Sequence, residues 1–349
     1  MTNLFTRKLS EKPWLLADGA TGTNLFAMGL LSGDSPELWN SDYPEKIKAH
    51  YQSFIDAGSD IVLTNTFGGT SYRLKLHNAQ ERVHELNVAG AKLLVDCARN
   101  SGRDVVVAGS MGPTGEILQP AGELDPALAE AAFAEQAMAL KEGGVDVLWI
   151  ETISSAEETQ AAVKGAAVAG LPIVITLSID TNGRTMMGLT GEDLVLLQPQ
   201  LHTQPVAFGT NCGLGASEVV AAVLNMKTAC EQAGVAPQIV AKANCGIPEW
   251  VDGEIVYNGT PELMAKFATM AVDAGAKIVG GCCGTTPGHI AEMRKALDEH
   301  ERGEMPNAEH IISALGDITA GAKAQLAGDT SIAGGAVGGA QRRSSRRRK

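Results

Sequence analysis

AKIVGGCCG, residues 276–284, is the stretch of sequence from which the fold can be read. Its first four residues form a short, mostly apolar run typical of a buried strand, and TTP at residues 285–287 is a helix start. A second stretch, VAFGTNCG at residues 206–213, has the same plan and leads into a helix start at residues 216–218. Each stretch therefore predicts one strand–helix unit whose strand ends in cysteine.

The same unit recurs along the chain. Short apolar runs alternate with alanine-rich helical stretches, and most runs are continuously apolar, as expected for parallel strands buried on both faces. The eight predicted strands are residues 14–18, 61–66, 105–110, 147–152, 173–178, 206–212, 239–245 and 278–283. Helices are predicted at residues 44–57, 79–100, 126–143, 156–169, 216–233, 261–274 and 287–300. Eight such units predict an α/β fold, a (β/α)8 TIM barrel, with a doubly wound open sheet as the alternative.

The composition indicates a soluble protein with a large core. The chain has 349 residues, 44% of them apolar, and a net charge of −12, which argues against nucleic acid as a partner. No stretch reaches the roughly 18 uninterrupted apolar residues of a membrane helix. The six cysteines are not spaced like a disulfide framework. We therefore expect a cytoplasmic protein with reduced thiols that binds small molecules and neither nucleic acid nor a membrane.

The composition changes after about residue 303. Residues 1–302 are predicted to form the barrel, and residues 303–349 a short helix within 308–327 followed by a Gly/Ala-rich and then Arg-rich tail. Six of the last eight residues are Lys or Arg. We predict that this basic C-terminal tail is disordered, with a docking arm for an acidic partner, such as a corrinoid carrier, as the alternative.

Three cysteines are predicted to meet at the carboxyl ends of the strands. Cys212 ends one strand, and Cys282 and Cys283 end another, where barrel proteins assemble their sites. Three thiolates can form a zinc site with one open position, and such a sulfur-rich zinc suits a further thiol better than water. This favours alkyl transfer to sulfur. Ordinary core packing is one alternative, and a thiol-redox or metal-sensing barrel, in which Cys282 and Cys283 form a disulfide, is another.

Two carboxylates at other strand ends indicate a site for an amino-acid substrate. Asp18 ends the first predicted strand and Glu151 lies at the end of the fourth. A buried ammonium group requires charged partners of this kind. The alternative for each is that it caps the following helix or orders its loop.

Together these motifs resemble those of the homocysteine S-methyltransferase family, which includes betaine–homocysteine methyltransferase and the homocysteine module of cobalamin-dependent methionine synthase. The motifs are DGATGT at residues 18–23, GTNCG at 209–213, KANCGIP at 242–248 and GGCCGTTP at 280–287. The resemblance covers roughly residues 13–300. It implies that Cys212, Cys282 and Cys283 are catalytic zinc ligands, that homocysteine thiolate is the fourth ligand, and that methionine is the product.

The resemblance also implies substrate contacts. Asp18 and Glu151 match positions that hold the homocysteine amino group, and Ser110 lies in the loop that receives its carboxylate. The sequence departs from the family at Cys245, where the methionine synthase module usually has a small apolar residue. The oxygen of Asn244 or the sulfur of Cys245 could therefore occupy the zinc before homocysteine arrives.

The methyl donor stays open on sequence grounds. Betaine, a corrinoid-bound methyl group and S-methylmethionine are the candidates, and a cage for betaine would draw on Trp39, Tyr43, Tyr72 or Trp250. The cobalamin-ligand pattern DxHxxG occurs at residues 298–303, but at the end of a predicted helix and with fewer than 50 residues after it. We therefore expect any corrinoid to arrive on a separate carrier protein.

Overall fold

Eight parallel strands form the barrel of this protein, whose computed structural model describes residues 3–180, 182–236, 238–251 and 254–329. The strands are β1 (Leu15–Leu16), β2 (Ile61–Leu63), β3 (Val106–Met111), β4 (Val147–Ile153), β5 (Ile173–Leu177), β6 (Ala207–Cys212), β7 (Ile239–Ala243) and β10 (Ala276–Gly281). They pair in the order β1–β10–β7–β6–β5–β4–β3–β2, and a parallel bridge between Ala17 and Ile61 joins the two ends of that order. The TIM-barrel prediction is confirmed, and the open sheet is excluded.

Helices surround the strands. They are α1 (Leu4–Glu11), α2 (Gly22–Ala27), α3 (Trp39–Asp42), α4 (Pro44–Asp56), α5 (Ser71–Leu74), α6 (Val83–Asn100), α7 (Pro126–Gly143), α8 (Ala156–Ala167), α9 (Gly191–Leu197), α10 (Ala216–Ala233), α11 (Pro261–Ala274), α12 (Pro287–Glu299), α13 (Ala308–Leu315) and α14 (Ala320–Leu326). All seven predicted helices are present. Helix α9 was not predicted, although Thr190 and Asp193 form a capping box at its start. None of the described helices is long and apolar enough to cross a membrane.

Helix α1 covers the amino-terminal end of the barrel. Asn3 caps this helix, and its Nδ2 donates to the carbonyl oxygen of Asp146 just before β4. Phe5 is fully buried and belongs to the same apolar cluster as the interior strand residues Ile61 and Trp149. Because α1 closes this end of the barrel, a small molecule has access to the opposite end, where the strands finish.

Two additions to the barrel differ from the sequence predictions. An antiparallel hairpin of β8 (Pro248–Val251) and β9 (Glu254–Tyr257) lies between β7 and α11 and was not predicted. The single short helix expected within residues 308–327 is two helices, α13 and α14, that pack on the barrel; Gln325 Nε2, for example, donates to the Gly183 carbonyl oxygen. The proposed boundary at residue 302 stays a prediction, and the Arg-rich tail lies outside the described residues.

Candidate metal and substrate site

Three cysteine sulfurs lie together at the carboxyl ends of β6 and β10. The sulfurs of Cys212, Cys282 and Cys283 are all within 4.8 Å of one another, and the Cys212 and Cys283 sulfurs are 3.9 Å apart. Zinc–sulfur bonds of ~2.3 Å in a tetrahedral site place two sulfurs about 3.8 Å apart. The sequence prediction that these three residues meet agrees with this geometry, and their spacing fits one zinc ion.

The backbone beside each cysteine group explains the glycines of the motifs. Cys212 adopts a left-handed conformation with φ 63°, and Gly213 follows it with φ 71°. A Cβ atom on Gly213 would collide with the Ile179 carbonyl oxygen, and one on Gly284 (φ 77°) would collide with the ring base of Tyr257. Glycine has no Cβ atom, so it tolerates both the left-handed backbone conformation and the close approach of these neighbouring atoms. These two glycines therefore allow the cysteine loops to converge.

Asn244 and Cys245 are both engaged away from the sulfur cluster. The Asn244 Oδ1 accepts a hydrogen bond from the Cys283 N–H (3.0 Å), and its Nδ2 donates to the Gly213 carbonyl oxygen (2.8 Å), so the side chain ties the two cysteine loops together. Cys245 is 1% exposed, and its thiol donates to the Gly259 carbonyl oxygen. Burial raises the pKa of the Cys245 thiol to about 11. This arrangement favours neither residue as a further metal ligand.

A buried lysine that the sequence analysis did not single out lies beside the cysteines. Lys242 Nζ donates to Asp18 Oδ1 at 2.9 Å, and both side chains are at most 3% exposed. The other oxygen of Asp18 accepts a hydrogen bond from the Leu63 N–H. Burial raises the pKa of Asp18, since one lysine does not offset the lost hydration. Burial alone would lower the pKa of Lys242, but Asp18 and Glu151 outweigh it and raise this pKa, so the lysine is charged.

Glu151 and Ser110 form a second polar pair next to this lysine. The Ser110 hydroxyl donates to Glu151 Oε1 at 2.6 Å, and both residues are buried. Burial raises the pKa of Glu151 to about 7, with Lys242 and Ser110 acting in the opposite direction. The predicted substrate residues thus come close to the cysteines. Glu151, Ser110 and Lys242 line the cavity described next, whereas Asp18 lies behind Lys242.

A cavity of about 520 Å³ opens above these groups. Its polar and sulfur-containing inner residues are Cys212, Cys282, Cys283, Ser110, Glu151 and Lys242, and its outer residues include Phe26, Glu37, Phe67, Arg73 and His77. Ser110, at the inner end, is 2% exposed, and Phe26, at the outer end, is 49% exposed. The volume lies within the range of sites that bind small molecules.

The proposed betaine cage is not formed by the aromatic residues expected from the sequence. Trp39, Tyr43 and Tyr72 do not line the cavity. The rings of Trp39 and Tyr43 lie 5.1 Å apart, and Lys46 Nζ lies 4.5 Å from the Trp39 ring centroid, so a cation of the chain already occupies that surface. The side chain of Trp250 lies outside the described part of the chain. The aromatic residues that do line the cavity are two phenylalanines.

The cobalamin-like pattern lies at the other end of the barrel. Asp298 pairs with Arg294, which also pairs with Asp60 just before β2 (3.1 Å). His300 Nε2 is 2.8 Å from Asp273 Oδ1. These contacts are at the amino-terminal ends of the strands, so residues 298–303 are remote from the cysteines.

Comparison with known proteins gives a consistent result. The family model described as homocysteine S-methyltransferase matches residues 15–297. Methionine synthase of Mycobacterium tuberculosis is 29% identical over 307 residues, which are 83% of this chain and 25% of that protein, so the chain spans about a quarter of the relative's length.

Solved structures of the homocysteine methyltransferase MmuM from Escherichia coli share the fold. The metallated form has a TM-score of 0.68 and 23% identity and covers 84% of this chain and 99% of its own. The apo form has a TM-score of 0.64 and 22% identity and covers 84% and 100%.

Proposed function

Because the chain belongs to the homocysteine S-methyltransferase family, we propose that it is a zinc-dependent enzyme that methylates the sulfur of homocysteine and releases methionine. The observation that carries this proposal is the convergence of three cysteine sulfurs within 4.8 Å of one another, beside a cavity that also contains acidic and basic side chains. An amino-acid thiol requires this combination of groups, since its sulfur, ammonium and carboxylate each need a partner.

The cysteine cluster fits zinc chemically as well as geometrically. Cys212, Cys282 and Cys283 would hold the ion, because thiolates are soft ligands that suit zinc. Three ligands would leave the fourth position of a tetrahedral site open for the substrate. When bound, zinc lowers the pKa of a thiol at its open position and so supplies the nucleophile without a separate general base.

The other side chains bind and orient the substrate. Glu151 lines the cavity and, when ionised, would accept hydrogen bonds from the homocysteine ammonium group. We propose that Asp18 supports this site from behind, because its carboxylate holds Lys242. Ser110 would receive the substrate carboxylate when its hydroxyl turns from Glu151, to which it donates in this structure. Fixing sulfur in line with a methyl carbon is the main contribution of such a site to the rate.

For the methyl donor we propose betaine or a methyl group on a separate corrinoid carrier protein, with S-methylmethionine as the alternative. The similarity to methionine synthase supports the corrinoid, and the phenylalanines at the cavity mouth support a small onium compound. The test is methionine formation by the zinc-loaded protein with homocysteine and each donor in turn. We expect turnover with one donor class. Absence of turnover with all three, despite one bound zinc per chain, would contradict the proposal.

A redox function makes a different prediction in the same assay. If Cys282 and Cys283 cycled through a disulfide, reductant alone would restore function in zinc-free protein. We expect instead that reductant without zinc leaves the protein inactive and that zinc restores methionine formation.

A further inference from the structure

Arg73 is a partly buried cation on the cavity wall that lacks an anionic partner. It belongs to the short helix α5 after β2, and its guanidinium makes no hydrogen bond or ion pair with any other described residue. Other arginines are paired: Arg7 with Asp104, Arg82 with Glu85, and Arg294 with Asp60 and Asp298. A charge that loses water without gaining a partner destabilises the protein, so an unpaired guanidinium in a cavity indicates an anionic ligand.

Arg73 packs closely against the loop that follows β3 and lines the cavity. Gly115, in the loop after β3, has φ 83°, and a Cβ atom at this position would lie only 3.0 Å from Arg73 Nη1. The guanidinium therefore lies directly on this loop, with its planar group at the cavity. A guanidinium presents parallel N–H groups that match the two oxygens of a carboxylate.

Arg73 is set apart from the groups that would bind homocysteine. Ser110, Glu151 and Lys242 are deeply buried beside the cysteines, whereas Arg73 is more exposed and lies among the outer residues of the cavity. With homocysteine held at the cysteines and Glu151, the outer part of the cavity is left for the methyl donor. A carboxylate bound there belongs to the donor.

The other outer residues complement a positive charge. Glu37 is a buried acid whose oxygens accept hydrogen bonds from the Ser35 hydroxyl and the Gly68 N–H, both at 2.6 Å, so its carboxylate is held in place. Phe67 lies against Gly112, where a Cβ atom would be 2.6 Å from its ring. One fixed carboxylate, an aromatic ring and one free guanidinium are complementary to a small zwitterion with an onium group and a carboxylate.

We infer that Arg73 binds a carboxylate of the methyl donor and thereby selects onium carboxylates over donors that lack this group. The inference rests on the proposed methyltransferase function. In the reaction the homocysteine thiol loses its proton to solvent, and its sulfur forms a bond to the methyl carbon. The donor's carbon–nitrogen or carbon–sulfur bond breaks, and its electron pair stays on the donor, which leaves as a neutral amine or thioether.

The test compares donors with and without a carboxylate. Wild-type protein and Arg73→Gln are assayed with glycine betaine, with dimethylsulfonioacetate and with trimethylsulfonium, which is a sulfonium without a carboxylate. We expect the substitution to raise KM for both carboxylate donors by about tenfold to a hundredfold, as for loss of a charged hydrogen bond. We expect KM for homocysteine and for trimethylsulfonium to change less than about twofold. Arg99→Gln, which removes an exposed cation outside the cavity, is the matched control.

The outcomes separate this inference from the proposed function. An equal effect of Arg73→Gln on donors with and without a carboxylate, or a raised KM for homocysteine alone, overturns the inference while methyl transfer stands. Absence of methionine from wild-type protein with every donor contradicts the function. In that case calorimetry of glycine betaine with the zinc-loaded protein decides: at least tenfold weaker binding to Arg73→Gln supports the inference, and equal or no binding overturns it.

Discussion

Replacing Lys242 by methionine would remove the partner of a buried carboxylate. Asp18 is 1% exposed, and after the change its charge would keep only the hydrogen bond from the Leu63 N–H. Methionine has a similar length and fills the same space, so the main effect is electrostatic. Breaking a buried ion pair by removing one partner costs about 3–5 kcal/mol, because the remaining charge stays desolvated. We therefore expect Lys242→Met to lower the free energy of unfolding by this amount at pH 7.

The pH dependence and a second substitution identify the cause. Burial already raises the pKa of Asp18, and removal of the lysine raises it further. A protonated Asp18 carries no charge, so the loss of stability should be smaller at pH 5 than at pH 7. Asp18→Asn combined with Lys242→Met should recover more than half of the loss. Urea unfolding followed by circular dichroism measures the wild type and both variants. A loss below about 1 kcal/mol at pH 7 for the single variant, or no recovery in the double variant, would refute the reasoning.

Two further predictions concern titration. Burial raises the pKa of Glu151 to about 7, so this carboxylate is mostly ionised only above that pH, and KM for homocysteine should fall as the pH rises through 7. Glu151→Gln should raise KM for homocysteine and abolish this pH dependence. An unchanged pH profile would count against the proposed role of Glu151 in binding the ammonium group. Burial lowers the pKa of His50 to about 4. Because unfolded histidine takes up a proton below pH ~6.5, stability should fall by about 3 kcal/mol between pH 6.5 and 4. His50→Gln should flatten this part of the profile, and equal slopes would contradict the burial argument.

The barrel and the cysteine cluster were predictable because both depend on local patterns. Continuous apolar runs such as residues 147–152 indicate parallel strands regardless of their neighbours, and the carboxyl ends of such strands share one edge. Cys212 and Cys283 were therefore predicted to meet although 71 residues separate them.

The features that were missed depend on contacts between distant segments. Lys242 stands out as a charge within the apolar strand IVAKA, a signal that could have been used, but its partner Asp18 is 224 residues away. The predicted role of Asp18 as a substrate contact stays a prediction, and the contact with Lys242 was not foreseen. Arg73 and Phe67 belong to no recognisable motif, and only the path of the segment after β2 brings them to the cavity.

Helix α1 and the hairpin of β8 and β9 were not predicted because their local sequence patterns are weak. The N-terminal segment has few apolar residues, and its helix depends on contacts with distant residues: Phe5 and Leu9 pack against the barrel interior, and Asn3 donates to the Asp146 carbonyl oxygen. The hairpin strands are four residues each, which is too short for a clear alternating pattern.

The measurement that tests the central claim most directly is the zinc content of purified Cys212→Ala, Cys282→Ala and Cys283→Ala, determined together with methionine formation. Cys245→Ala is the matched control, because this buried thiol donates to the Gly259 carbonyl oxygen outside the cluster. We predict about one zinc per chain in the wild type and in the control, and loss of both zinc and activity in each of the three variants while circular dichroism shows the fold retained. Full zinc occupancy in any of the three variants would contradict the proposed ligand set.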